Sequence, residues 1–133
     1  MARWLVKTEP STYSYDDLAK AGKTTWDGVK NPVALKHLRS VRKGDEVLVY
    51  HTGGEKAVVG IARAASDAYP DPKHPQLTVF DLEARKPLKR PVTLAEIKGD
   101  RTFAGWELVR LPRLSVMPVP DAMQARLLEL AAS

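Results

Sequence analysis

The residues of this chain with chemistry to offer fall in short blocks. Lys7, Thr8 and Glu9 set an amine, a hydroxyl and a carboxylate side by side, the parts of an activated nucleophile with an acid or base partner. Neighbours along an extended strand face opposite ways, so the three do not converge without a bulge, and this argues against a catalytic trio. Trp26 and Asn31 supply an aromatic face and an amide, and His51 with Thr52 adds an imidazole and a hydroxyl. Within a basic surround, that set suits a planar, polar ligand such as a nucleobase, stacked on one face and hydrogen-bonded along its edge. Each residue also has a purely structural reading: Trp26 as core, Asn31 as a helix cap, His51 and Thr52 as the closure of a hairpin.

The elements that position these groups can be read from Trp26 to Thr52. Asp27 and Gly28 make a tight turn that leaves the Trp26 ring half exposed, and Asn31 before Pro32 starts a helix, Pro32 to Arg39. Leu35 and Leu38 share its inner face, while Lys36, Arg39 and, just beyond, Arg42 and Lys43 face outward. No carboxylate occurs between Lys30 and Lys43, so this side meets either solvent or phosphates. Arg85, Lys86, Lys89 and Arg90 form a second basic group. Lys43-Gly44-Asp45 turns the chain into a strand, Glu46 to His51, which pairs through Gly53-Gly54 with Ala57 to Ala65. Gly60 inside that second run marks a bulge or a close backbone approach.

The remaining blocks frame this centre. Arg3 to Lys7 alternates as a first strand, and Ser14 with Asp17 approximates a capping box for a short helix ended by Gly22. Tyr69 to Pro75, with three prolines, predicts a stiff loop without regular structure, with Tyr69 or Asp71 available to a pocket rim. Leu77 to Arg85 alternates with Thr78, Phe80, Leu82 and Ala84 toward the core. Pro87 to Pro91 interrupts it, and Thr93 caps a helical turn that Gly99 stops. Trp106 and Leu108 are expected to be partly buried, Leu114 to Met117 to form a short strand, and Met123, Leu127 and Leu130 to face inward from a terminal helix.

A length of 133 residues fits one domain, 1–133, with a core of its own. The absence of cysteine excludes disulfides and thiolate metal sites, and three scattered histidines offer no metal-ligand spacing. Neither a signal-like apolar run nor a membrane-length segment is present, which makes the cytoplasm the expected compartment. With 21 Lys and Arg against 16 Asp and Glu, the net charge of +5 favours polyanionic partners. Walker loops, dinucleotide fingerprints, nucleophile elbows and paired-His metal motifs are missing, which favours a binding protein over an enzyme.

Six blocks carry a resemblance: Trp4-Leu5-Val6-Lys7 with Glu9-Pro10, Trp26 to Asn31, Val49 to Thr52, Val59 to Ala62, Ala68 to Pro72, and Arg113 to Val116. Together, in this order, they resemble the EVE domain family. The resemblance implies an α+β fold, a PUA-like mixed β-barrel flanked by short helices and related to the YTH readers of methylated RNA. It further implies non-enzymatic binding of nucleic acid carrying a modified base, either a modified cytosine in DNA or a modified base in RNA. The implied pocket lies between the barrel and the Asn31 helix, with Lys7, Glu9, Trp26, Val29, Lys30, Asn31, His51, Thr52 and Ser115 around the base. Lys36, Arg39, Arg42 and Lys43 would meet phosphates. No cofactor, metal or membrane is expected, and the protein is expected to be a monomer. The alternatives are a small PUA-like amidohydrolase acting on modified nucleosides and a protein-interaction module. Lys30 stands where the family more often has Arg, and Pro32-Val33 where it has a Tyr-Gln pair.

Overall fold

In the computed structural model, which describes residues 2–133, the first strand, β1 (Arg3–Thr8), is buried on both faces along Trp4, Leu5 and Val6. It is also interior to the sheet. It pairs in parallel with β3 (Glu46–His51) and antiparallel with β7 (Val116–Pro118), so it has neighbours on both edges. β3 in turn pairs with β4 (Ala57–Ala64), and β4 with the long β6 (Thr78–Thr93), whose far side carries β2 (Lys23–Trp26). The resulting order is β2-β6-β4-β3-β1-β7, an open mixed sheet curled into a half-barrel, with a two-residue strand, β5 (Tyr69–Pro70), added beside β6.

Short helices close its ends. α1 (Tyr15–Ala21) begins at a capping box in which the Ser14 hydroxyl accepts from the Asp17 N–H and the Asp17 carboxylate accepts from the Ser14 N–H. α2 (Pro32–Leu38) starts at Asn31, α3 (Leu94–Lys98) at a second capping box between Thr93 and Glu96, and α4 (Glu107–Arg110) follows a turn of 3-10 helix. α5 (Asp121–Ala132) packs Leu127, Ala131 and the buried Gln124 inward, with Met123 and Leu130 only partly covered.

Gly60 is explained by a close approach. A Cβ there would lie 2.4 Å from the Tyr15 ring, which crosses the strand at that point and donates from its hydroxyl to the Ile61 carbonyl at 2.6 Å. The register between β3 and β4 also slips beside it, so the bulge and the approach coincide.

Five expectations are corrected. Trp26, expected beside the turn with no strand before it, ends a strand, Lys23–Trp26, because this segment pairs with β6 in a register that sets Trp26 against Phe80. The start of the Pro-rich loop is β5, since Tyr69 and Pro70 pair with Val79 and Thr78 on an edge where Pro70 needs no donor. The Pro87–Pro91 segment does not interrupt β6. Lys86 and Pro87 pair with Ile61 and Gly60, then Val92 and Thr93 with Val58 and Ala57, so residues 88–91 bulge around the single Val59 and the prolines bend the strand without ending it. Trp106 and Leu108 are fully buried, at 1% and 2% exposure, with Trp106 Nε1 donating to the Pro118 carbonyl. The last short strand begins at Val116, so Ser115 precedes it; its carbonyl accepts from the Lys7 N–H at 3.0 Å.

Candidate nucleic-acid interface

Trp26 ends β2 with its ring turned into the molecule and 8% of its surface exposed. The half-exposed ring expected from the Asp27-Gly28 turn is therefore not found: the pairing with β6 draws the side chain inward. What remains accessible is one wall of a cleft of about 320 Å³. Its lining is Thr8, Thr12, Tyr13, Thr24, Thr25, Trp26 and Asp27. Tyr13 and Trp26 meet edge to face at 6.4 Å and 75°, which fixes both rings as a preformed aromatic corner. Four threonine hydroxyls and the exposed Asp27 carboxylate supply donors and acceptors around it. Thr8 donates to the Tyr13 carbonyl at 2.6 Å and Thr25 to Asp81 at 3.1 Å, which orients these hydroxyls and leaves their lone pairs to accept.

The expected site residues divide around this cleft. Trp26 lines it, and Val29 is buried in the turn below. Lys30 is exposed and lies, with Tyr69 and Asp71, on a second cleft of about 530 Å³ that shares Thr25 and Asp27 with the first. Asn31 caps α2: its Oδ1 accepts from the Val33 and Ala34 N–H groups at 2.9 and 3.1 Å, and its amide NH₂ stays available for donation. It borders an apolar groove of about 350 Å³ formed with Val33, Leu111, Pro112, Arg113 and Leu114. Lys7 reaches the same groove by donating to the Pro112 carbonyl at 2.9 Å, with its ammonium 5.5 Å from the Tyr50 ring centre. Burial pushes the Lys7 ammonium below its ordinary value. Ser115 holds β1 through its backbone.

His51 has both ring nitrogens engaged within the chain. Nε2 accepts from the Tyr15 N–H at 3.0 Å and Nδ1 lies 2.7 Å from Glu55, so the imidazole carries its proton on Nδ1 and ties the start of α1 to the hairpin loop. Thr52 makes two long contacts, 3.4 Å to the Thr8 carbonyl and 3.4 Å to Glu9. Glu9 accepts from the Ser11 N–H and hydroxyl, which hold its carboxyl below the ordinary range. Lys7, Thr8 and Glu9 thus turn to three separate partners, Pro112, Tyr13 and Ser11.

Beside the clefts, α2 buries Ala34, Leu35 and Leu38 and turns Lys36 outward, with Arg39, Arg42 and Lys43 exposed on the turn that follows. Among the described residues none of the four forms an ion pair. Arg42 is held along the chain by donating to the Arg39 and Val41 carbonyls, and the turn is braced by buried Asp45, which accepts from Trp4 Nε1 at 2.9 Å and the Arg42 N–H at 3.0 Å. In the second basic group Arg90 is committed to Glu96, while among the described residues Arg85, Lys86 and Lys89 form no ion pair. Tyr13, Thr12, Thr24, Thr25 and Asp27 were not singled out as site residues in the sequence. Asp27 was visible only as a turn former, and the threonines carry no signal until β2 and the loop after β1 come together. Among the described residues no cluster of three His, Asp or Glu side chains could hold a metal ion, and no helix is long and apolar enough to cross a membrane.

An open, curled mixed sheet capped by short helices, with an aromatic cleft between the first strands, defines a PUA-like half-barrel domain. The EVE domain model matches residues 2–130, and the chain belongs to the EVE domain family. A protein from Rhodopseudomonas palustris, Rpa0253, has 38% identity and a TM-score of 0.94, over 99% of this chain and 94% of that one. The structure of human THYN1 in complex with 5-methylcytosine-containing DNA superimposes with a TM-score of 0.91 at 25% identity, covering 100% of this chain and 99% of that chain. Human thymocyte nuclear protein 1 is 29% identical across 74% of this chain and 56% of its own length. The chain spans about half the length of the curated relatives it matches.

Proposed function

We propose that this chain is a single, monomeric, non-enzymatic DNA-binding domain that receives a modified cytosine, extruded from the stack, in the Trp26 cleft. The observation that carries the reading is the preformed corner of Trp26 and Tyr13 with the Asp27 carboxylate exposed on the same cleft. A cytosine ring stacks on the aromatic wall, and Asp27 accepts from its N4 amino group, the usual acidic contact to that base. The threonine hydroxyls meet the remaining edge. The unpaired cations Lys36, Arg39, Arg42 and Lys43 hold phosphates, with Lys30 at the entrance. The related human protein bound to 5-methylcytosine-containing DNA supports the choice of ligand. The separate commitments of Lys7, Thr8 and Glu9 support binding without turnover, since the three groups do not converge on one reacting atom.

The test is a pair of duplexes identical except for one 5-methylcytosine, titrated by fluorescence anisotropy at fixed salt. Tighter binding of the modified duplex, reduced to the unmodified level by Asp27→Ala, is expected. Equal affinity for the two, across cytosine modifications at that position, refutes the reading. Incubation with acylated or amino-substituted nucleosides should return them unchanged; turnover abolished by Lys7→Ala would show an enzyme instead.

A further inference from the structure

The end of α4 and the loop after it read Arg110-Leu111-Pro112-Arg113, an apolar pair between two cations that the base cleft does not use. Contiguous apolar side chains rimmed by polar ones, unlike single exposed ones, mark an interaction surface. Here Leu111 is 37% exposed and Val33, across the groove from it, 49%. The two line the apolar groove of about 350 Å³ in which Asn31 is the adjoining amide. The loop is rigid. Leu111 N–H donates to the Glu107 carbonyl at 2.7 Å, the Leu114 N–H closes the turn on the Leu111 carbonyl at 3.0 Å, and Lys7 Nζ pins the Pro112 carbonyl at 2.9 Å. The groove and the base cleft are joined along the chain, since Asn31 on the groove comes four residues after Asp27 on the cleft.

We infer that Leu111 and Pro112 form a wedge that enters the base stack of double-stranded DNA beside the extruded base. This rests on the function proposed above and adds the means by which a paired base is brought out. Charge selects the occupant. Over residues 29–36 and 105–115 the exposed cations are Lys30, Lys36, Arg110 and Arg113, against the single half-buried carboxylate of Glu107. An apolar tip between arginines matches a duplex, where the arginines take the flanking phosphates and the tip replaces a lost stacking neighbour. A purely apolar protein segment would leave those cations without partners.

The consequence is specific to pairing. Extruding a base from an intact duplex costs unstacking and unpairing, whereas a target base that is already unpaired needs no wedge. The experiment measures wild type and Leu111→Ala on three probes with the same 5-methylcytosine: a paired duplex, the single strand, and a duplex with an abasic site opposite the target. A 2-aminopurine next to the target reports unstacking. Leu111→Ala should weaken the paired duplex by about tenfold while changing the single strand and the abasic duplex less than about twofold, and the 2-aminopurine signal on the paired duplex should fall. Equal loss on all three probes would make Leu111 an ordinary contact, and no loss on any would leave the patch to another partner, a protein included; either result overturns the wedge. Leu111 is exposed, so thermal unfolding of the variant should match wild type. If wild type shows no preference for 5-methylcytosine on any probe, the base-reading function has failed; if that preference stands while the pairing dependence is absent, only the wedge has.

Discussion

Replacing Trp26 tests the floor of the cleft and must separate two effects that its position combines. The side chain is 8% exposed and pairs across the sheet with Phe80, so it belongs to the core as well as to the cleft. Truncation to Ala should therefore destabilise the fold by about 3–5 kcal/mol, the usual range for a large buried aromatic. The loss of a base–aromatic stack should weaken binding by about 1–3 kcal/mol, or about 5- to 140-fold in affinity. Trp26→Leu separates the two, because it refills much of the volume without the π face: the binding loss should persist while most of the stability returns. The assays are thermal unfolding for the fold and anisotropy titration of the 5-methylcytosine duplex for binding, at a temperature where each variant is over nine-tenths folded by circular dichroism. If Trp26→Leu binds as tightly as wild type, the ring is core only and the stacking argument is wrong. Trp26→Phe, which keeps an aromatic face, should lose less affinity than Leu; the reverse order would also refute it.

Four further outcomes follow from the geometry. Gly60→Ala drives a methyl into the Tyr15 ring at 2.4 Å and should cost about 1–3 kcal/mol or more in denaturant unfolding, with relief when Tyr15 is also truncated. Arg39→Ala should flatten the slope of log affinity against log salt by roughly 0.7–0.9 and weaken modified and unmodified DNA alike. Asn31→Ala should leave the slope unchanged and lower stability by about 1 kcal/mol through the lost cap. The Arg90 guanidinium, with the Thr93 N–H, holds Glu96 at a pKa of about 2 against an ordinary 4.5. A lowered folded pKa means stability that is complete above about pH 4.5 and lost as pH falls toward 2, so Glu96→Gln should flatten the wild-type acid unfolding curve in that window.

Local signals in the sequence survived folding where their physics is local. Ser14 with Asp17, Asn31 before Pro32, and Thr93 three residues ahead of Glu96 each satisfy free N–H groups within one turn, so those helix starts lie where the caps put them. The six blocks in order were enough to place the chain in the EVE family, and Gly60 marked a close approach without naming Tyr15 as its cause. The basic stretch from Lys30 to Lys43 was legible because its charge is a property of composition, and helix period alone puts Leu35 and Leu38 inside. What pairing decides could not be read. The parallel pairing of β1 with β3 sets both strands inside the sheet, the pairing of Lys23–Trp26 with β6 pulls Trp26 inward, and the bulge of residues 88–91 around Val59 carries a strand past two prolines. The site is set the same way. Thr12, Tyr13, Thr24 and Thr25 join Trp26, and Leu111 joins Val33, only because segments far apart in the chain come together, while His51, conspicuous in the sequence, is claimed by Tyr15 and Glu55. Caps and charge act over a few residues; a cleft is made by partners that strand pairing alone selects.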